Sequence, residues 1–286
     1  MSRLASRFEA IGVLLGESVT RPTWAYHHFR GILEYRGFGD PGRHLSLAPK
    51  DVREFDSRSM AIPIHVFDQS LAEARAWISD LGNDSTGVIP PNFDASNFLA
   101  ELVYALTRIE RPAVVVEIGV GRGATTRAIL SALATNAFGE LHSIEFPSLR
   151  WNYAASVGSL VSERLRSRWT LHFGPSAQIL PRVARRVEKI DLFVHDGGHT
   201  YASQYRDLRV ATENMEDGGL LVVDDVNNSA FIDVANYVQA APVLLAQPPK
   251  RDPVGLARVP ARLGASSAEQ ALRKHRDDGS VVVPKS

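Results

Sequence analysis

Residues 114–123 constrain the fold more than any other part of this chain. They read Val-Val-Val-Glu-Ile-Gly-Val-Gly-Arg-Gly, and a helical pattern begins at Ala124. The β-branched run predicts a buried strand, and the glycines at alternate positions predict a tight turn without Cβ atoms. A strand, a glycine turn and a helix N-terminus in this order allow a ligand to lie against bare backbone. The stretch therefore predicts an α/β domain with a nucleotide-like ligand.

From residue 92 onward, short apolar segments alternate with segments of helical periodicity. We predict strands at 113–117, 141–145, 170–173, 190–195 and 220–224, and helices near 98–108, 124–136, 151–164, 176–187, 201–214 and 230–239. Two more strands, at 243–246 and 254–259, are joined by a connection too short for a crossover, so they should be antiparallel. The expected fold class is α/β: a Rossmann-like, doubly wound, mostly parallel seven-stranded sheet with an antiparallel last strand.

The chain divides into three parts. Residues 1–91 form an N-terminal accessory segment, which is interpreted as a lid, an oligomerisation arm or irregular helices packed on the main domain. Its aromatic and histidine cluster at 24–29 lines a substrate pocket or belongs to the core, and residues 71–81 form a short amphipathic helix. Residues 92–260 form the main domain, whose first helix has Asp94 or Ser96 as its N-cap. Residues 261–286 are a polar tail.

Composition excludes several classes of function. Thirty-two basic residues balance thirty-two acidic ones, so no global field favours nucleic acid or an anionic membrane. The absence of cysteine excludes disulfides, thiolate catalysis and cysteine-ligated metals. No apolar run approaches the roughly 20 residues of a membrane span, and the N-terminus does not resemble a signal peptide. We therefore expect a cytoplasmic location.

Two ligand classes suit the glycine turn. Nicotinamide-binding folds also place an acidic residue about 20 positions after their glycines, as Glu145 is placed here. Three features favour another ligand: Glu117 at the end of the first strand suits a cationic amino acid rather than a pyrophosphate, the glycine spacing is G-x-G-x-G, and the sheet ends in an antiparallel pair. On these features, residues 94–260 resemble the class I S-adenosylmethionine-dependent methyltransferases. The resemblance implies a cofactor site formed by Glu117, Gly119, Gly121, Gly123, Thr125 and Glu145.

The segment after the third strand narrows the resemblance. Residues 173–181, Phe-Gly-Pro-Ser-Ala-Gln-Ile-Leu-Pro, resemble the corresponding segment of catechol-type O-methyltransferases. The resemblance implies that Gly174 and Ser176 border the adenine. Pro175 stands where many relatives have an acidic residue. Ser176 has an alternative interpretation as the N-cap of the following helix.

Three carboxylates follow two neighbouring strands. Asp196 ends one of them, and Asp224 and Asp225 end the next, so all three meet at the carboxyl edge of the sheet. Close carboxylates repel one another unless a cation lies between them, and an oxygen-only ligand set suits Mg²⁺ or a similar ion. The arrangement resembles the metal-dependent O-methyltransferases.

The run Asp196-Gly-Gly-His-Thr-Tyr201 further resembles a bacterial family that includes macrolide sugar O-methyltransferases. That resemblance implies metal ligation by Asp196, Asp224 and Asp225. Asp196 would also be a cofactor and catalytic residue, and His199 a base. Purely structural roles are the alternatives. The paired aspartates would cap the following segment, His199 would lie in a surface loop with Thr200 as a helix cap, and His195 would be a packed residue.

The expected function is methyl transfer from S-adenosylmethionine, with a divalent cation such as Mg²⁺, to a hydroxyl of a small molecule. The acceptor is expected to be a sugar or phenolic group of a secondary metabolite, with no nucleic-acid or membrane partner, and a homo-oligomer is left open. Three alternatives stay open: a metal-independent N- or O-methyltransferase, a nicotinamide-dependent oxidoreductase, and a non-catalytic cofactor-binding protein.

Overall fold

A computed structural model describes residues 26, 27, 29, 30, 60–78, 96–147 and 153–261. The predictions made for Trp24, His28, Asp94 and the tail after residue 261 lie outside the described residues. No helix in the described ranges is long and apolar enough to cross a membrane.

The helices and strands alternate as the periodicity predicts. Residues 26, 27, 29 and 30 are also helical. From residue 60 onward, the described helices are α1 (Ile64–Ile78), α2 (Asn97–Glu110), α3 (Ala124–Asn136), α4 (Tyr153–Ser156), α5 (Ser176–Val187), α6 (Tyr201–Asn214) and α7 (Ala230–Tyr237), with a 3-10 helix at Glu163–Arg168. The strands are β1 (Val114–Ile118), β2 (Glu140–Glu145), β3 (Trp169–Phe173), β4 (Ile190–His195), β5 (Met215–Val223), β6 (Val243–Leu245) and β7 (Val254–Arg258).

The strands form one seven-stranded sheet in the order β3-β2-β1-β4-β5-β7-β6. Strands β1 to β5 are parallel, whereas β7 is antiparallel to both β5 and β6. Helices cover both faces, which explains why strand residues such as Val115, Phe193 and Leu221 have no exposed surface. The predicted Rossmann-like fold with an antiparallel last strand is confirmed.

The helix predicted at 151–164 is wrong. Within the described part of that range, only the four residues of α4 are α-helical, and a 3-10 helix begins at Glu163. Gly158 lies between them with φ of 68° and donates its N–H to the carbonyl of Gly121 at 3.0 Å. Leu160 donates in the same way to Arg122 at 2.9 Å. These hydrogen bonds attach the segment to the glycine turn, so tertiary contacts outweigh local helix propensity.

Other boundaries differ by a few residues. Helix α1 begins at Ile64, earlier than predicted, directly after Pro63, whose carbonyl accepts from Val66 and Phe67. Strand β5 begins at Met215, but its pairing with β4 shifts register between Ile190 and Leu192. It ends at Val223, so both aspartates follow the strand. Of the two N-cap candidates for α2, Ser96 accepts from the Leu99 N–H at 3.1 Å.

Helix α1 belongs to the packed core. Its residues Phe67, Leu71 and Ala74 lie in the same apolar cluster as the buried face of α2 and one face of the sheet. At the edge of this contact, Glu73 accepts from the Tyr104 hydroxyl at 2.7 Å and from the Arg108 Nε at 3.2 Å. This part of the accessory segment is therefore a layer of the fold. The domain boundary at 91 and the lid or oligomerisation role remain predictions.

We expect Phe67→Ala to lower the free energy of unfolding by about 3–5 kcal/mol, because the ring is fully buried and its removal leaves a cavity. Ile64→Ala, which truncates a side chain 40% exposed on the same helix, should change it by less than about 1 kcal/mol. Urea unfolding followed by circular dichroism measures both. Equal small losses would show that α1 is not part of the core.

Candidate active site

A cavity of about 700 Å³ opens at the carboxyl edge of the sheet, within the roughly 300–1,000 Å³ typical of small-molecule sites. The predicted residues that line it are Gly119, Gly121, Thr125, Glu145, Gly174, Ser176, Asp196, His199 and Asp225. Glu117, Gly123 and Asp224 are not among its lining residues. The structure therefore brings most of the predicted site together.

The glycine turn, residues 119–123, needs its glycines for different reasons. A Cβ on Gly119 would lie 2.0 Å from the carbonyl oxygen of Asp196, and its φ is 89°. A Cβ on Gly123 would lie 3.0 Å from the Val161 side chain and 3.1 Å from the Gly158 Cα. Gly119 thus permits contact with the end of β4. Gly123 permits packing of the chain around residue 158 beneath the N-terminus of α3, away from the cavity.

Glu145 ends β2 at the cavity wall. Its Oε2 accepts from the backbone N–H groups of Val120 at 2.7 Å and Gly121 at 3.0 Å. Burial raises the pKa of this carboxyl, and the N–H groups of Gly121 and Val120 oppose the rise. Glu145 therefore holds the glycine turn in place and lines the cavity, where the sequence predicts a cofactor site.

Glu117 lies beneath the glycine turn, with no exposed surface. Its Oε2 accepts from Thr126 Oγ1 at 2.8 Å and Ser143 Oγ at 2.6 Å, whereas its Oε1 has no hydrogen-bond partner among the described residues. Burial raises its pKa to about 7, although the two hydroxyls oppose the rise. Its observed contacts join β1, β2 and α3. The cofactor contact expected of Glu117 stays a prediction.

The segment after β3 reaches the cavity through Gly174, Pro175 and Ser176. Pro175 is the N-cap residue of α5, so the N-cap interpretation of Ser176 is wrong. Instead, Ser176 Oγ accepts from Nη2 of Arg206 at 3.2 Å. The Gly174 N–H donates to the Glu145 carbonyl at 2.9 Å, which places this segment beside the end of β2.

The acidic cluster, Asp196, Asp224 and Asp225, already contains a cation. Lys250 Nζ lies 2.8 Å from Asp224 Oδ2 and 3.0 Å from Asp225 Oδ1. Asp224 is fully buried, and its Oδ1 accepts from Gln247 Nε2 at 2.6 Å. Burial alone would raise the pKa of Asp224, but the hydrogen bond and charge of Lys250 lower it below its usual range.

Asp196 behaves differently from its neighbours. Burial raises its pKa well above the usual range, and the negative charge of Asp224 and a hydrogen bond to that carboxylate raise it further. Burial by itself would lower the pKa of Lys250, but Asp224 and Asp225 raise it. These pKa shifts favour an ionised Asp224 carboxylate and a charged Lys250 ammonium, with Asp196 favoured in its protonated form.

This donor set does not fit the divalent cation that the sequence predicts. Both oxygens of Asp224 are hydrogen-bonded, and the ammonium lies against both paired aspartates. Within the described ranges, no group of three or more histidine, aspartate or glutamate side chains is arranged to hold a metal ion. A metal would have to displace Lys250, so no chemical step is assigned to one.

His199 lies in the loop before α6 and lines the cavity. Its Nε2 is 3.7 Å from Asp225 Oδ2, and its buried Nδ1 has no hydrogen-bond partner in the described part of the chain. Burial lowers its pKa, although the charge of Asp225 opposes this. Thr200 caps α6 by accepting from the Ser203 N–H, as the alternative interpretation of this loop predicts. The cap fixes the loop that carries His199.

His195 is fully buried in β4, with Nε2 3.4 Å from Asp207 Oδ2, which agrees with its interpretation as a packed residue.

Four basic residues that line the cavity are absent from the predicted catalytic, cofactor and metal residues: His27, Arg30, Arg206 and Lys250. His27 belongs to the 24–29 cluster, and its place in the cavity wall agrees with the pocket interpretation; its Nε2 lies 3.0 Å from Gln178 Nε2. The sequence could have indicated Lys250 as a site residue, because it lies in the short connection between the last two strands, beside the end of β5.

The buried carboxyl of Glu117 should make stability depend on pH. Its folded-state pKa is raised from 4.5 to about 7, so the folded state binds more protons than the unfolded state in that interval, and stability falls as pH rises through it. Glu117→Gln removes this loss. The variant should therefore gain about 2 kcal/mol relative to the unmodified protein between pH 5 and pH 8.

Urea unfolding at the two pH values measures this gain. Glu163→Gln is the control, because its side chain is 94% exposed and should give no comparable change. A pH-independent difference between Glu117→Gln and the unmodified protein would contradict the assignment.

Comparison with known proteins agrees with this geometry. Residues 116–226 match the family model described as a methyltransferase domain, while no curated protein matches the chain. An O-methyltransferase from Bacillus cereus, solved with S-adenosylhomocysteine, has a TM-score of 0.50 at 15% identity over 75% of this chain and 93% of that one. The O-methyltransferase TomG from Streptomyces achromogenes, solved with S-adenosylmethionine, has a TM-score of 0.49 at 18% identity over 68% and 90%. Residues 116–226 are therefore a methyltransferase domain, and the prediction of a class I methyltransferase is confirmed.

Proposed function

We propose that this chain transfers a methyl group from S-adenosylmethionine to a hydroxyl group of a small molecule. One observation carries the proposal: a single cavity joins the glycine turn and Glu145 to His199 and Lys250. A cofactor surface and a candidate proton acceptor thus share one space. The methyltransferase domain at residues 116–226 gives the reaction class.

The residues at one end of the cavity suit S-adenosylmethionine. Glycines 119 and 121 leave backbone exposed, and Glu145 offers a carboxylate beside them. Thr125 lies in the first turn of α3 and lines the cavity, and its buried Oγ1 has no hydrogen-bond partner among the described residues. A buried hydroxyl without a partner favours a ligand contact. When bound, the cofactor supplies an electrophilic methyl group on its sulfonium.

His199 suits the role of proton acceptor. A neutral alcohol is a poor nucleophile and must release its proton as the new carbon–oxygen bond forms. Because burial favours the neutral imidazole, His199 has a nitrogen available to take that proton. Asp225, 3.7 Å away, would stabilise the imidazolium that results. The loop position fixed by Thr200 would align the base with the acceptor.

The predicted Mg²⁺ is not part of this proposal, because Lys250 already lies against Asp224 and Asp225. The geometry thus favours the metal-independent O-methyltransferase considered among the alternatives. The acceptor is proposed to be a sugar or phenolic hydroxyl of a secondary metabolite. His27 and Arg30, which line the cavity from the N-terminal segment, are candidates for contacting it.

Cofactor binding is tested by calorimetry with S-adenosylmethionine, S-adenosylhomocysteine and NAD. Thr125→Val should weaken S-adenosylhomocysteine binding by about five- to tenfold, because it removes one hydroxyl contact worth about 1 kcal/mol. Its thermal stability should change little, since that hydroxyl bonds no described residue. The neighbouring Thr126→Val is the control, because Thr126 bonds Glu117, and its loss should lower stability but not affinity. Tighter binding of NAD would contradict the proposed function.

Removal of the proposed base is the test of the chemistry. His199→Gln should lower kcat by roughly 10²–10⁴-fold, with cofactor affinity unchanged, because it removes the proton acceptor but not the cofactor surface. Release of S-adenosylhomocysteine is measured with a panel of phenols, catechols and glycosides. His65→Gln, on the exposed side of α1, is the matched control. Full turnover by His199→Gln would eliminate the histidine as the base.

A further inference from the structure

We propose that the ammonium group of Lys250 is a built-in cation that takes the place of a divalent metal ion at the acidic cluster. The activity measurements that test this inference rest on the proposed function, whereas the metal-binding measurements do not depend on it. It goes beyond methyl transfer because it names Lys250 as a residue that binds the acceptor and predicts the type of acceptor that the site accommodates.

The contacts of Lys250 are those expected of a site cation. Nζ lies within 3.0 Å of one oxygen from each of the two paired aspartates. The Lys250 side chain is only 31% exposed, and that of Asp224 is not exposed at all. Buried carboxylates require a compensating positive charge, and here the chain itself provides it.

The loop that carries Lys250, residues 246–253 between β6 and β7, is built onto the acidic cluster. Gln247 donates from Nε2 to Asp224 Oδ1 at 2.6 Å and to the Asp252 carbonyl at 2.9 Å. Its Oε1 accepts from Ser96 Oγ at 2.6 Å. The loop closes with a hydrogen bond from the Lys250 N–H to the Gln247 carbonyl at 2.9 Å. The backbone of Lys250 therefore lies in a fixed turn, which places its side chain beside the acidic cluster.

A second attachment joins the loop to the residues after β5. The Val226 N–H donates to the Pro253 carbonyl at 2.9 Å, and Asn227 Nδ2 lies 3.4 Å from Asp252 Oδ2. Because both ends of the loop are bound to this region, the ammonium is present at a high effective concentration beside the carboxylates. A free divalent ion would have to compete with a cation tethered to the same site.

An ammonium differs from Mg²⁺ in what it offers to a substrate. It has three N–H donors, and Asp224 and Asp225 occupy two of them. A magnesium ion in a protein keeps several coordination positions for water or substrate, so it can chelate two vicinal oxygens. Because Lys250 also lines the cavity, its remaining N–H can hold one acceptor oxygen. The site should therefore accept isolated hydroxyls as well as vicinal pairs.

The metal-binding arm of the test uses Mn²⁺ alone, followed by electron paramagnetic resonance. The unmodified protein should bind no stoichiometric Mn²⁺ at about 1 mM free ion. Lys250→Ala and Lys250→Gln should each bind one Mn²⁺ at least about tenfold more tightly, because removal of the ammonium leaves both carboxylates without a cation. Thermal melting and S-adenosylhomocysteine affinity identify which variants keep the fold. Stoichiometric binding by the unmodified protein, or none by a folded variant, would overturn the inference.

The activity arm exploits the absence of cysteine from the chain. Lys250→Cys should lower kcat by about 100-fold, the usual effect of losing one preorganised donor. Alkylation with bromoethylamine converts that single cysteine into a lysine analogue, and activity should return. The unmodified protein should keep its activity in EDTA. Lys189→Cys, at an exposed position, should keep its activity both before and after alkylation.

The outcomes separate this inference from the proposed function. Activity that is lost in EDTA and restored by Mg²⁺ would overturn the inference and leave methyl transfer intact. Failure of alkylation to restore folded Lys250→Cys would also overturn it. If the unmodified protein bound no S-adenosylmethionine, the proposed function would fall, while the Mn²⁺ measurements would still decide whether Lys250 takes the place of a metal. Equal turnover of monohydroxy and vicinal dihydroxy phenols would support the single-oxygen site.

Discussion

The turn after β1 passes so close to the end of β4 that no side chain fits between them. A Cβ on Gly119 would lie 2.0 Å from the carbonyl oxygen of Asp196, and the Asp196 N–H donates to the Ile118 carbonyl at 2.8 Å. This contact makes the glycine turn and the acidic cluster parts of one rigid unit. The proposed donor and acceptor sites are thereby held in register by backbone alone, and such alignment provides much of the catalysis in group transfer. A substitution at Gly119 would disturb both sites together.

The antiparallel end of the sheet positions residues on the other side of the cavity. Strand β7 pairs with β5, with Val223 opposite Gly255, so the loop entering β7 lies beside the residues that leave β5. A parallel strand at this position would begin at the opposite edge of the sheet. The reversal of β7 therefore brings Lys250 to Asp224 and Asp225. The topology of the last strands thus determines the electrostatics of the acidic cluster.

Much of the fold and of the cofactor surface was predictable from the sequence, because each depends on local patterns. Buried parallel strands appear as continuous apolar runs, and a glycine turn requires glycine wherever φ is positive. The features that were missed depend on distant contacts. The segment at 151–164 has helical periodicity, but hydrogen bonds from Gly158 and Leu160 to the glycine turn prevent a continuous helix. The hydrogen bonds that Glu117 accepts from Thr126 and Ser143 beneath the turn are likewise tertiary contacts that the sequence does not indicate.

The acidic cluster shows what such a motif can and cannot predict. Adjacent carboxylates at a strand end require a positive charge, whatever its source, because their repulsion is the same in each case. The sequence around Asp196 and Asp225 therefore predicts a cation correctly but does not identify it. The identity depends on Lys250, twenty-five positions beyond Asp225, and on the Gln247 contacts that place its loop. A metal site should consequently be inferred from carboxylates only after every nearby loop has been examined for a lysine or arginine that could reach them.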